Sequence, residues 1–271
     1  MPNICNPNLL DNWYFGNPVN QRGQTSYAGT YIYTIDRWKA NDTITVVDGG
    51  IKIKRTTSTE LFCQTLSDEL LNAIAGKVVK YSVLTTEGLF SVTSSCPTDV
   101  NAKWDTDNAV QGNLVVDIYG PNNGRKRFRF YSLVDGTEAT IIAVKLELGS
   151  QQTLAHQENG KWVLNEIPDY GEQLRRCQRY YFKTESAQRS AYMMHRADDN
   201  YLFGSCIFPV TMRATPSVQL LSYRNPTTGD VITAEGAASQ RTPNGFCVVN
   251  DAGKFTSGSV FQVAFSATAD L

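Results

Sequence analysis

Residues 42–57, DTITVVDGGIKIKRTT, constrain the fold of this chain more than any other stretch. Two runs rich in β-branched residues are joined by Asp48, Gly49 and Gly50. Asp-Gly and Gly-Gly steps supply the positive backbone angles of a tight hairpin turn, so the stretch predicts an antiparallel hairpin with Ile51 and Ile53 on one face. Similar signals recur. TYIYTIDRW (30–38) alternates Tyr31, Tyr33 and Ile35 on one face, and KVVKYSVLTT (77–86) and NLVVDIYG (113–120) are further short strands. GRKRFRFYSLV (124–134) sets Phe128 and Phe130 against Arg127, Arg129 and Tyr131, and ATIIAVKLELGS (139–150) is more continuously apolar. Short strands at this spacing predict a β-sandwich over residues 1–150. One short helix is expected within SDELLNAIAGK (67–77), where Ser67 caps, Asp68 and Glu69 suit the positive end, and Gly76 stops the turn.

Residues 151–182 read as a connector. The first twenty are mostly polar, with a glycine turn and Pro168 near their end. YGEQLRRCQRYYF (170–182) then reads as a short charged helix running into an aromatic strand. Pro168 and Asp169 are helix-start residues, and Leu174, Cys177 and Tyr181 share one face at i, i+3 and i+7. Glu172 and Arg176 sit four apart in the favourable order, which is worth only about 0.3–0.5 kcal/mol. A helix this short must therefore dock its apolar stripe on something. These three residues are the candidate assembly contacts. Residues 183–271 return to strands, among them SCIFPVTM, SVQLLSYR, GFCVVNDA and SVFQVAFSATADL. The expected architecture is all-β: a sandwich over 1–150, a short helical connector over 151–182, and a smaller β-sandwich domain over 183–271.

Composition narrows the function classes. The formal net charge is −1, so no overall field draws in nucleic acid or an anionic membrane. No apolar run approaches the roughly 20 residues that cross a bilayer. The start, MPNICNPNLLDNWYF, has no basic segment followed by an apolar one, so synthesis in a cytoplasm without a signal peptide is expected. The six cysteines form no CxxC pair and there are only two histidines, so neither a metal site nor a cofactor is expected, and the thiols read as free and buried. HExxH, GxSxG, a phosphate-cradling loop before a lysine and GxGxxG are all absent from the sequence. A glycosidase needs only two carboxylates across a cleft, but sequence spacing cannot show such a pair in a β fold. The expectation is a protein without catalysis.

Binding candidates come from residue character. The run Arg125, Lys126, Arg127 and Arg129 is either a patch for phosphate or acidic sugar, or a solvated strand face, and its alternation with phenylalanine favours the latter. Trp13, Trp38, Trp104 and Trp162 are possible sugar-stacking platforms, since a flat ring suits the C–H face of a pyranose. Trp104, among polar neighbours in NAKWDTDNA, is the one expected to be exposed. YMMHRADDNYLFG (192–204) has the mixed aromatic and polar character of a recognition loop, with a polar hairpin turn as the plainer reading. The candidate ligand-binding residues are thus Trp104, Tyr192, His195, Arg196, Asp199 and Tyr201. Asn41-Asp42-Thr43 matches a glycosylation triplet, which needs a secretory route that the start does not display.

NLLDNWYFGNPVNQRG, followed by YTIDRW, resembles the amino-terminal signature of a family of tail-fibre and tail-associated proteins of bacteriophages and prophages. AVKLELGS with EIPDYGEQLRRCQRYY is similar to the passage where a jelly-roll domain of those proteins ends and a short helix begins, and FPVTMRATPSVQL resembles their carboxy-terminal domain. The resemblance implies a jelly-roll like that of carbohydrate-binding modules, opening on an Asn-Leu-Leu-like strand and closing on a Leu-Glu-like pair, here Leu146-Glu147. It implies a homotrimer at the tip of a virion tail, contacts with other phage tail proteins, and attachment to a glycan on the bacterial cell surface. It carries no fixed set of binding residues, no nucleic-acid partner and no membrane insertion. A depolymerase or glycosidase of the same polymer, and a structural tail adaptor, are the alternative readings.

Overall fold

The computed structural model describes residues 5–102, 104, 108–119, 126–187, 190–198, 201–233, 237–249 and 260–270. The chain divides into two compact units, Met1–Leu174 and Arg175–Leu271. Unit 1 runs β1 (Ser26–Tyr27), β2 (Ile32–Tyr33), β3 (Trp38–Ala40), β4 (Thr43–Val47), β5 (Gly50–Lys54), β6 (Glu60–Thr65), α1 (Asp68–Ile74), β7 (Val78–Thr85), β8 (Gly88–Ser95), β9 (Asn108–Gln111), β10 (Leu114–Tyr119), β11 (Arg127–Tyr131), β12 (Glu138–Leu148), β13 (Ala155–Glu158) and β14 (Lys161–Leu164). The boundary between units falls inside α2 (Tyr170–Gln178).

Two six-stranded antiparallel sheets form unit 1, in the orders β1-β4-β5-β12-β7-β8 and β2-β3-β6-β11-β10-β9. Consecutive strands repeatedly change sheet, and one buried cluster draws side chains from both. This is the expected β-sandwich with jelly-roll winding. The hairpin at 42–57 forms as its sequence predicts: Val47 lies opposite Gly50, and Gly49 takes φ +76° in the turn. In β11, Phe128 and Phe130 point inward around the fully buried Trp38, whose ring stacks on Phe62 at 4.7 Å. Helix α1 is capped as predicted, with Leu70 N–H donating to Ser67 Oγ (3.2 Å), acidic residues in its first turn, and Gly76 at φ +70° after it.

The near-continuous apolar character of β12 has a specific cause. A register shift between Ile141 and Ala143 changes which residues face the core, from Ala139 and Ile141 before it to Val144 and Leu146 after it. Lys145 and Glu147 then lie on the opposite face and are nevertheless buried, because other parts of unit 1 cover them. Thr153 donates to Glu147 through N–H (2.9 Å) and Oγ1 (2.5 Å). The amino-terminal stretch runs along the same strand: Leu9 N–H donates to the Leu146 carbonyl (2.9 Å), Asn8 Nδ2 to that of Val144 (2.8 Å), and Phe15 N–H to that of Ile142 (2.8 Å).

Residues 151–182 carry more structure than a connector. Residues 155–164 form an antiparallel hairpin of their own, β13 with β14. Asp169 starts α2, accepting from Glu172 N–H through its side chain (2.8 Å) and from Gln173 N–H through its carbonyl (3.1 Å). Gln173 Oε1 accepts from the backbone of Asn12 (2.8 Å), a buried contact within unit 1. The helix ends at Gln178, so Tyr181 is not on it.

Unit 2 runs β15 (Tyr181–Lys183), β16 (Met193–Asp198), β17 (Tyr201–Phe203), β18 (Ser205–Ile207), β19 (Ser217–Arg224), β20 (Val231–Thr233), β21 (Ala237–Thr242), β22 (Gly245–Val249) and β23 (Val260–Thr268). One sheet has the order β17-β16-β23-β19-β20, with β15 also paired to β23; a second has the order β18-β22-β21. Phe246 and Phe265, with ring centroids 4.8 Å apart, lie in its separate buried cluster. Both units are β-rich, as expected.

Candidate functional site

The outward face of the β2-β3-β6-β11-β10-β9 sheet concentrates the polar and aromatic chemistry of unit 1. Register sets it out. Lys39 lies opposite Cys63, Cys63 opposite Arg129, and Arg129 opposite Asp117, giving a row across β3, β6, β11 and β10. In the next row Thr65, Arg127 and Tyr119 line up. The alternation that sends Phe128 and Phe130 into the core sends Arg127, Arg129 and Tyr131 to this face.

Both arginines are held tightly. Arg129 grips the fully buried Asp117 in a fork, Nε to Oδ1 at 2.8 Å and Nη2 to Oδ2 at 2.9 Å. Its guanidinium carbon lies 3.5 Å from the Tyr119 ring centre and 4.4 Å from that of Tyr131. Arg127 Nη1 donates to Glu60 Oε1 (2.5 Å), and Arg129 Nη1 stands 3.6 Å from Glu60 Oε2. Tyr31 covers this pair, its ring centre 4.3 Å from the Arg127 guanidinium and its hydroxyl donating to Glu60 Oε1 (2.8 Å). Tyr31 has φ +62°, an uncommon conformation for a residue with a side chain. Tyr33 stands beside Lys39 (4.4 Å) and Arg22 (4.9 Å), and Arg22 is paired with Asp36 (2.9 Å).

Electrostatics follow the packing. Burial, then the like charge of Arg129, pulls Arg127 down to about 10. Burial also works against Arg129, but the hydrogen bonds and charge of Asp117 outweigh it and raise its pKa. Burial and then the charge of Glu60 push the Cys63 thiol well up, so it stays protonated. The cations Lys39, Arg127 and Arg129 share this face with the carboxylates Glu60 and Asp117. Beside them lies a shallow surface depression lined by Tyr31, Lys39, Ala40, Asn41, Glu60 and Cys63. Asn41 Nδ2 donates to Ser58 Oγ (2.8 Å), while its Oδ1 is buried without a hydrogen-bond partner among the described residues. The arrangement offers fixed donors between tyrosine rings. Its two carboxylates serve as acceptors for arginine.

The residues expected from sequence fall elsewhere. Trp104 is a correction: it is only 2% exposed, and its Nε1 donates to the Asp99 carbonyl (2.9 Å), so its ring is no open platform. Trp13 and Trp38 are buried too, whereas Trp162 on β14 is 37% exposed. Arg127 corrects the solvated-face reading of the basic run, being buried in its pair with Glu60; Lys126 pairs with Asp68, and Arg125 lies outside the described residues. The recognition-loop stretch is a hairpin, β16 with β17. Tyr192 packs edge-on against Phe265 (5.1 Å) and its hydroxyl donates to the Ile207 carbonyl (2.8 Å), so it is tied to the body of unit 2. In the hairpin register His195 lies opposite Phe203, Arg196 opposite Leu202 and Tyr201 opposite Asp198; Asp199 lies outside the described residues. Cys177 and Tyr181 are buried within the single chain, and Leu174 is half-buried.

No family model, curated protein or solved structure matches this chain.

Sequence reasoning missed the tyrosine–arginine face because its members come from six separate segments. The available signal was the alternation in RFRFY, which marks one face of β11 as aromatic and cationic.

Proposed function

We propose that the chain is a non-enzymatic receptor-binding protein of a bacteriophage or prophage tail, attaching to carbohydrate on the bacterial surface. The observation that carries the binding reading is the outward face of unit 1, where the exposed Tyr31 and the half-buried Tyr119 are fixed against Arg127 and Arg129, with the buried Tyr131 packed behind Arg129. Tyr31 and Tyr119 offer a sugar its stacking partners, and the half-buried Arg129, gripped by Asp117, is set in position before binding. The tail assignment rests on the sequence resemblance.

A shallow face of this kind binds weakly as a single copy. Display in a homotrimer raises avidity by about 100- to 10,000-fold without new contacts. The half-buried Leu174 and the exposed Arg175, Arg176 and Arg179 are the candidate assembly surface; Cys177 and Tyr181 are already covered. Other tail proteins are the proposed structural partners. Sedimentation tests the assembly: Leu174→Asp is expected to lower the sedimenting mass, and an unchanged value removes Leu174 from the interface.

The binding test is a panel of immobilised bacterial surface polysaccharides, probed with wild type and with the double variant Tyr31→Ala/Tyr119→Ala. Saturable binding that weakens about tenfold or more, at least about 1.4 kcal/mol, is expected for the variant. Absence of binding across the panel, or equal binding by both proteins, overturns the proposal.

A further inference from the structure

Cys5 and Lys145 meet outside the face described above. Lys145 is fully buried on β12, and its Nζ donates to Cys5 Sγ at 3.0 Å. Among the described residues, the carboxylate oxygen that comes within ion-pair range, Glu166 Oε1, stands at 3.7 Å, beyond an ordinary hydrogen bond. The sulfur in turn donates to the Thr153 carbonyl (3.3 Å) and approaches Thr153 Oγ1 (3.7 Å). A buried amine whose hydrogen bond among the described residues goes to a sulfur is unusual, because nitrogen and oxygen donors in the interior normally find oxygen acceptors. Cys5 is only half-buried, so small oxidants reach it. Cys63, Cys96 and Cys206 are less suited: all three are buried, and burial pushes Cys63 well up, Cys96 to about 11 and Cys206 to about 12.

We propose that Cys5 and Lys145 form a peroxide-responsive cross-linking site. Hydrogen peroxide oxidises the thiol by two electrons: its O–O bond breaks, one oxygen passes to Sγ to give the sulfenic acid, and the other leaves as water. Nζ then releases a proton toward Glu166, and its lone pair attacks Sγ. An S–N bond forms, the S–O bond breaks, and the hydroxyl leaves with that proton as water. The product is a sulfenamide between Cys5 and Lys145, and the protein has lost two hydrogens overall. The 3.0 Å approach already lies within the roughly 3–3.5 Å of a near-attack contact. The link pins the amino-terminal stretch to β12, the strand along which Leu9 and Phe15 already pair. A thiol reductant attacks the sulfur and releases both side chains.

The test treats the full chain with hydrogen peroxide and maps it by peptide mass spectrometry. The expected result is a Cys5–Lys145 linked peptide, lighter by two hydrogens than the sum of its parts, which dithiothreitol removes. The link falls to background in Cys5→Ser. In Lys145→Met, Cys5 sulfenic acid persists and is trapped by dimedone. Tryptophan fluorescence matching wild type shows that unit 1 of each variant is folded. If Cys5 of the wild type is trapped by dimedone or advances to sulfinic acid without a link, the proposal is wrong. A linked peptide that retains the oxygen overturns the displacement step.

Discussion

Replacing Asp117 with leucine tests whether the tyrosine–arginine face is a preorganised array. Asp117 is fully buried and takes two hydrogen bonds from Arg129, whose side chain is only 13% exposed. Removing one partner of such a pair strands the other charge, at a cost of about 3–5 kcal/mol. Two contacts soften the loss here. Glu60 Oε2 is 3.6 Å from Arg129 Nη1, and the guanidinium keeps Tyr119 and Tyr131 on either side, each such contact contributing about 0.5–2 kcal/mol. We therefore expect a loss near the lower bound, about 3 kcal/mol. For a unit of this size that lowers the melting temperature by about 6–12 °C. All four tryptophans, Trp13, Trp38, Trp104 and Trp162, lie in unit 1, so intrinsic fluorescence during urea or thermal unfolding reads this unit alone. The double variant Asp117→Leu/Arg129→Met, which removes both charges, is expected to recover most of the loss. A single-variant loss within the about 1 kcal/mol of an exposed pair, or a double variant no better than the single, refutes the reasoning.

Three other outcomes follow from local geometry. Burial raises the Asp42 pKa, but donors on Thr56, Thr57 and Ser58 outweigh it and hold the carboxyl well below its ordinary value. Its contribution is thus present above about pH 4 and lost as pH falls toward the folded-state value, so the stability gap between wild type and Asp42→Asn should narrow on acidification; a constant gap contradicts this. Ser67→Ala removes the cap of α1 and should cost about 1 kcal/mol by tryptophan-monitored urea unfolding, with no change in midpoint as the contrary result. Gly245→Ala places a methyl 2.3 Å from the Cys206 carbonyl oxygen and should destabilise the β18-β22-β21 sheet by about 1–3 kcal/mol, seen as faster amide exchange in β18 and β22; unchanged exchange contradicts the contact.

Local chemistry was legible in the sequence and long-range chemistry was not. The hairpin at 42–57, the Ser67 cap and the Asp169 helix start each depend on residues within a few positions. The alternation of β11 also reads directly. That its outward Arg127 is buried and Arg129 half-buried does not, because Asp117 arrives from β10 and Glu60 from 67 positions before Arg127. Trp104 misled for a related reason. Polar neighbours in sequence imply exposure, yet the indole is buried and donates to the Asp99 backbone. Tyr181 fits a helical stripe by spacing, but the helix stops at Gln178 and pairing with Thr268 of β23 sets its surroundings. The exposure of Trp162 follows from a small hairpin hidden in a polar stretch.

The most direct measurement is an amide-exchange and chemical-labelling footprint of the chain bound to the polysaccharide that it selects. The account predicts protection centred on Tyr31, Lys39 and Tyr119 of unit 1. Protection confined to the 193–203 hairpin of unit 2, with those three residues as reactive as in the free chain, would contradict it.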